Sequence, residues 1–123
     1  MRLKLLTALA FILVASTVRA VPVAPNASLI KGIAMECEAI SSTLLGMQPE
    51  QTIYRLTIQI ESTEDVSEMV NLLDKGTEGK EMVFYTKETL PPDILKKRIK
   101  ARVMYQGDER GGRWWIQEIR ILV

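Results

Sequence analysis

Eight cations crowd the last thirty residues of this chain. Lys96, Lys97, Arg98, Lys100, Arg102, Arg110, Arg113 and Arg120 stand there against Asp108, Glu109 and Glu118, a local net of +5. Residues 21–93 hold five basic against twelve acidic side chains, a net of −7. Cations gathered on one surface can neutralise the charges of an anionic ligand, and aromatic rings beside them offer faces for stacking. The candidate ligand-binding residues are therefore Lys100, Arg102, Arg110 and Arg113, with Trp114 and Tyr85 as stacking rings. The competing reading is plainer: these charges solvate exposed faces and pair with the acidic half.

Catalytic and metal-binding equipment is sparse. The chain has no histidine, which removes histidine metal ligands, the Ser-His-Asp triad and imidazole acid–base chemistry. Glu36 and Glu38 share a strand face, and paired carboxylates are what a glycosidase uses, but nothing near them in sequence suggests a raised pKa or a sugar platform. Asp108 and Glu109 occupy a turn, where Asp is favoured for backbone reasons. With Glu36 and Glu38 they offer oxygen ligands for calcium, without EF-hand spacing. Ser-x-x-Lys, Gly-x-Ser-x-Gly and the phosphate-cradling Gly-x-x-x-x-Gly-Lys pattern are all missing. A non-enzyme with no catalytic residue, metal or cofactor is the expectation. Cys37 is the single cysteine, so no internal disulfide can form; its thiol is expected to be buried or to pair between chains.

The first twenty residues read as an export signal. Arg2 and Lys4 precede an apolar run of 14 residues, Leu5 to Val18, and Val18 and Ala20 put small residues where a signal peptidase reads. Spanning a bilayer takes about 20 residues, so a cleaved signal is preferred to an anchor. With Arg2, Lys4 and Arg19 gone, 16 basic residues become 13 against 15 acidic, a net of −2. The slight basic excess is thus a targeting feature, and a nucleic-acid partner is disfavoured. Residues 21–29, with Pro22 and Pro25, read as a flexible leader, and the Asn26-Ala-Ser28 glycosylation sequon as chance. Residues 30–123 make one small domain.

Hydrophobic alternation within that domain predicts strands. On Ile30–Ile40, Ile33, Met35, Cys37 and Ala39 are expected to face inward. Ile53–Glu61 is the clearest strand, with Tyr54, Leu56, Ile58 and Ile60 inward. Glu81–Lys87 reads as a strand buried on both faces. On Ile99–Gln106, Ile99, Ala101, Val103 and Tyr105 point in, leaving Lys100 and Arg102 on the outer face, and Arg113–Val123 closes the set. Ser62 or Thr63 followed by Val66, Met69, Val70 and Leu73, with Gly76 as a stop, predicts a helix. The stretch Leu90–Leu95 predicts one short helical turn. If Ile119 and Ile121 face inward, Trp115 joins them and Trp114 lies outside, unless a bulge intervenes.

The segment "KRIKARVMYQGDERGGRWWIQEIRI" joins a strand, a Gly-Asp turn and a closing strand rich in aromatics and isoleucine. In order and pattern, residues 30–123 resemble the oligonucleotide/oligosaccharide-binding (OB) fold. The resemblance implies a mainly β, five-stranded OB-like barrel with one short helix. OB domains usually place that helix between their third and fourth strands, whereas the predicted helix precedes Glu81. The alternative is an α+β architecture, a twisted antiparallel sheet packed by one helix. The functional expectation is an exported, non-catalytic module that binds a protein or glycan. The alternative is an anion, single-stranded nucleic-acid or oligosaccharide binder using the basic C-terminal strands.

Overall fold

The computed structural model describes residues 25–108 and 111–123. The segment expected to be an export signal, Glu109 and the candidate Arg110 lie outside the described residues, as does the side chain of Asp108. Five strands, β1 (Ser28–Ser41), β2 (Thr52–Asp65), β3 (Glu81–Thr86), β4 (Arg98–Asp108) and β5 (Gly111–Ile121), form one mixed sheet. The sheet closes in a ring in the order β1-β2-β3-β5-β4, with β4 pairing back onto β1. Every pairing is antiparallel except β3 with β5, which meet in parallel at Tyr85 and Trp115. The fold is mainly β, as the alternating sequence requires. Among the described residues no helix is long and apolar enough to cross a membrane.

A sheet that closes on itself must bend its long strands, and bulges supply the bend. Three register shifts do this. Glu61 is the extra residue on β2 and Met35 the extra residue on β1; Gln117 is the extra residue on β5. Arginines of β4 hold the side chains of two of them. Arg98 donates to both carboxylate oxygens of Glu61, at 3.2 and 3.0 Å, and Arg102 Nε donates to Gln117 Oε1 at 2.9 Å.

Each bulge resets which residues face inward, and this corrects two expectations. On β1 the inward set before Met35 is Ser28, Ile30, Gly32 and Ala34, with Ile33 half-buried; Met35 and Ala39 are exposed, and only Cys37 of the expected face packs on the core. On β5, Ile116 is buried together with a core-packed Trp114, and after Gln117 the inward positions become Ile119 and Ile121. Trp114 therefore lies inside and Trp115 outside, the reverse of the unbulged reading.

The interior is aliphatic around one aromatic. Ile30, Leu56, Ile58, Ile60, Ile99 and Val103 surround Phe84, all fully buried. β2 and β4 present the expected alternation, with Tyr54 and Tyr105 half-buried at its ends. On β3 burial is one-sided: Phe84 and Thr86 are inside, while Val83 is 41% exposed.

The predicted helix after Ser62 is absent. β2 continues to Asp65 because Ser28 through Lys31 pair with it as far as Asp65, and residues 66–74 then run as an irregular strap ending in a 3-10 turn at Lys75–Thr77. Met69, Val70 and Leu72 are exposed, and only Leu73 enters the core. Side chains hold the strap: Ser28 Oγ donates to Asn71 Oδ1 (2.5 Å), which also accepts from the Leu73 amide (2.9 Å), and Asn71 Nδ2 donates to Asp65 Oδ1 (2.8 Å). The Leu73 amide on Asn71 and the Ala27 amide on the Val70 carbonyl (3.1 Å) give strap backbone groups partners outside a helix. The expected turn near Leu90 does form, as a 3-10 turn at Pro92–Ile94 between β3 and β4, and it buries Ile94.

Order also begins before Ile30. Asn26 is buried and clasps β4: its Nδ2 donates to the Tyr105 carbonyl (2.8 Å) and its Oδ1 accepts from the Tyr105 amide (2.7 Å). Asn26 of the sequon is thus built into the fold through both atoms of its amide.

Candidate functional site

A continuous outward row crosses all five strands. Register places Glu38 (β1) beside Arg55 (β2), Arg55 beside Tyr85 (β3), Tyr85 beside Trp115 (β5), and Trp115 beside Met104 (β4). Arg55 bridges the polar and aromatic parts of the row. It makes an ion pair with Glu38, which raises the guanidinium pKa, with a smaller contribution from Tyr85. Tyr85 and Trp115 pack with ring centroids 5.8 Å apart and planes tilted by 47°. The result is a half-buried aromatic platform with one edge held by an arginine.

Above Trp115 lies a cleft of about 520 Å³. One wall is the β1–β2 connection, with Leu45, Gly46 and Met47; the other is the β4–β5 hairpin, with Gln106 and Arg113. The first wall is a 3-10 turn, Ser42–Leu45. Its preceding residue Ser41 accepts from the Thr43 amide (3.3 Å), and Gly46 ends it in the left-handed region at φ 72°. Buried Ser42 Oγ ties the connection to the start of β2 by accepting from the Gln51 amide (2.9 Å). The hairpin wall is thinned by glycine. A Cβ at Gly112 would stand 2.8 Å from Tyr105 Cε1 and overlap Tyr105 Cζ and Oη, so glycine lets the end of that ring lie there. Tyr105 in turn backs Trp114 at a centroid distance of 5.3 Å, and Trp114 meets Phe84 edge-on at 6.2 Å. The core thus supports the hairpin that forms the cleft.

The five sequence-derived candidates among the described residues separate. Tyr85 and Arg113 belong to this face, Arg113 lining the cleft and Tyr85 packing on its floor. Trp114 is turned toward the core, where it packs on Phe84 and Tyr105. Lys100 and Arg102 line a different groove, with Leu29, Glu118 and Arg120, on the outer face of β1, β4 and β5. Alternation alone missed Trp115, because the bulge at Gln117 has no signature in the residue types. Leu45 and Met47 did carry a signal: apolar side chains in an otherwise polar connection.

Glu36 and Glu38 are both exposed, and Glu38 is committed to Arg55. Among the described residues no three His, Cys, Asp or Glu side chains converge as metal ligands would. Cys37 is a free, half-buried thiol whose pKa is raised by desolvation, so little of it is thiolate at neutral pH. In comparisons with known proteins, no family model, curated protein or solved structure matches this chain.

Proposed function

We propose that this chain is an exported, non-catalytic binding module of OB-like architecture that holds an oligosaccharide in the cleft over Trp115. One observation carries the reading: outward Trp115, backed by Tyr85, floors a cleft between the β1–β2 connection and the β4–β5 hairpin. OB domains bind oligosaccharides and oligonucleotides with the face of their second and third strands and with those two connections. The OB-like reading gains support from the short helical turn at Pro92–Ile94, which occupies the connection where such domains usually carry their helix. Sugar is favoured over nucleic acid because aromatic faces pack on the apolar faces of sugar rings, with polar groups at the rim. Export rests on the leader sequence, and the intact mass of the processed protein, starting near Val21, checks it.

The test is a titration of the full processed chain with neutral glycans, namely chito-, cello- and malto-oligosaccharides, read by tryptophan fluorescence. One of these series is expected to shift the emission saturably and with little salt dependence. Trp115→Ala is expected to weaken that binding by about tenfold or more, the loss of one stacked ring. No response from any glycan, or unchanged affinity in Trp115→Ala, overturns the proposal. A response confined to single-stranded oligonucleotides and lost with salt assigns the cleft to nucleic acid instead.

A further inference from the structure

Four residues along β4 from Met104, the same register that builds the aromatic row builds a row of like charges. Lys31 (β1) lies directly beside Lys100 (β4), and Lys100 directly beside Arg120 (β5). All three are on the outer face, since their sequence neighbours Ile30, Ala101 and Ile119 belong to or pack on the core. Like charges directly opposite each other in a sheet are destabilising. Elsewhere this protein pairs its strand arginines, Arg55 with Glu38 and Arg98 with Glu61. Here, among the described residues, no carboxylate comes within 4.0 Å of Lys31, Lys100 or Arg120. Arg102, in the next row, bonds to Gln117 although Glu118 is its register partner.

We propose that this row is a second site, separate from the aromatic cleft, which binds a linear polyvalent oxyanion of the polyphosphate type through Lys31, Lys100 and Arg120. Neighbouring strands stand about 4.7–4.9 Å apart, so the three residues are rooted in a line across the sheet at a short, even repeat. A single compact anion cannot span that line, whereas a chain with a negative charge at each unit can face all three. The groove beside the row, about 300 Å³ and lined by Leu29, Lys100, Arg102, Glu118 and Arg120, suits a short chain. Lys100 is half-buried, so its stem lies against the sheet and holds the ammonium in the row. Repulsion within the row is what an anion would relieve on binding.

Calorimetric titration of the full processed chain at low ionic strength, with tripolyphosphate and with inorganic phosphate as probes, tests this. One tripolyphosphate per chain is expected, at least about tenfold tighter than phosphate and weakening as salt rises. Lys100→Gln and Arg120→Gln are each expected to weaken it about fivefold, while Lys75→Gln, in the turn before β3, leaves it unchanged. Without ligand, Lys100→Gln is expected to melt at or above the wild-type temperature, because it removes a like-charge neighbour. Should Lys100→Gln fail to fold, Lys31→Gln takes its place. No binding of tripolyphosphate, equal binding of phosphate, or equal losses from Lys75→Gln and Lys100→Gln overturns the proposal. Each of these results leaves the glycan reading of the aromatic cleft untouched.

Discussion

Phe84→Ala is expected to destabilise the protein by about 3–5 kcal/mol, the usual cost of emptying a buried phenylalanine site. Phe84 is fully buried, and its ring touches Trp114 at 6.2 Å, edge to face. It sits on β3, the strand whose parallel contact with β5 completes the ring. Losing the side chain therefore removes the packing on Trp114 across the β3–β5 contact, as well as apolar area. A domain of this size has roughly 5–15 kcal/mol in total. A thermal melt followed by circular dichroism should show the midpoint falling by more than about 10 °C. A fall of only a few degrees would mean that Phe84 does not join the two sides.

Gly32→Ala carries the second large effect, for the opposite reason. Gly32 follows the first register shift between β1 and β2. A Cβ there would overlap the Gln59 carbonyl oxygen and stand 2.7 Å from Ile58 Cγ2. The carbonyl is backbone within β2 and cannot rotate away, so the methyl must be accommodated by parting the strands. Overpacking of this kind costs about 1–3 kcal/mol, occasionally more. Urea unfolding should show a lower midpoint with an unchanged slope. A wild-type midpoint would show that β1 and β2 are not in close contact there.

What the residue types disclose is the periodicity, and what they conceal is where it resets. β2 and β4 were legible: Leu56, Ile58 and Ile60, and Ile99, Ala101 and Val103, alternate without interruption and are buried as alternation demands. β1 and β5 were not, because Met35 and Gln117 are ordinary residues whose insertion into the ladder follows from ring closure rather than local preference. That single insertion in β5 exchanges Trp114 and Trp115, and with them the candidate stacking residue. The helix expected at Val66–Leu73 failed through competition. Its apolar spacing is real, but β1 pairs with the chain as far as Asp65, and beyond that the Ala27 amide and the Asn71 side chain offered partners to the Val70 carbonyl and the Leu73 amide. The basic C-terminal cluster was legible as a cluster; its division between the cleft at Arg113 and the row at Lys100 depends on which strands become neighbours.

The central claim is that the bulge at Gln117 turns Trp114 into the core and leaves Trp115 as the floor of the binding cleft. The melting temperatures of Trp114→Ala and Trp115→Ala, measured side by side, test it most directly. Trp114→Ala is expected to melt many degrees below wild type, as loss of a ring packed on Phe84 and Tyr105 requires. Trp115→Ala should stay within a few degrees of wild type. Equal losses, or a greater loss in Trp115→Ala, would contradict the account.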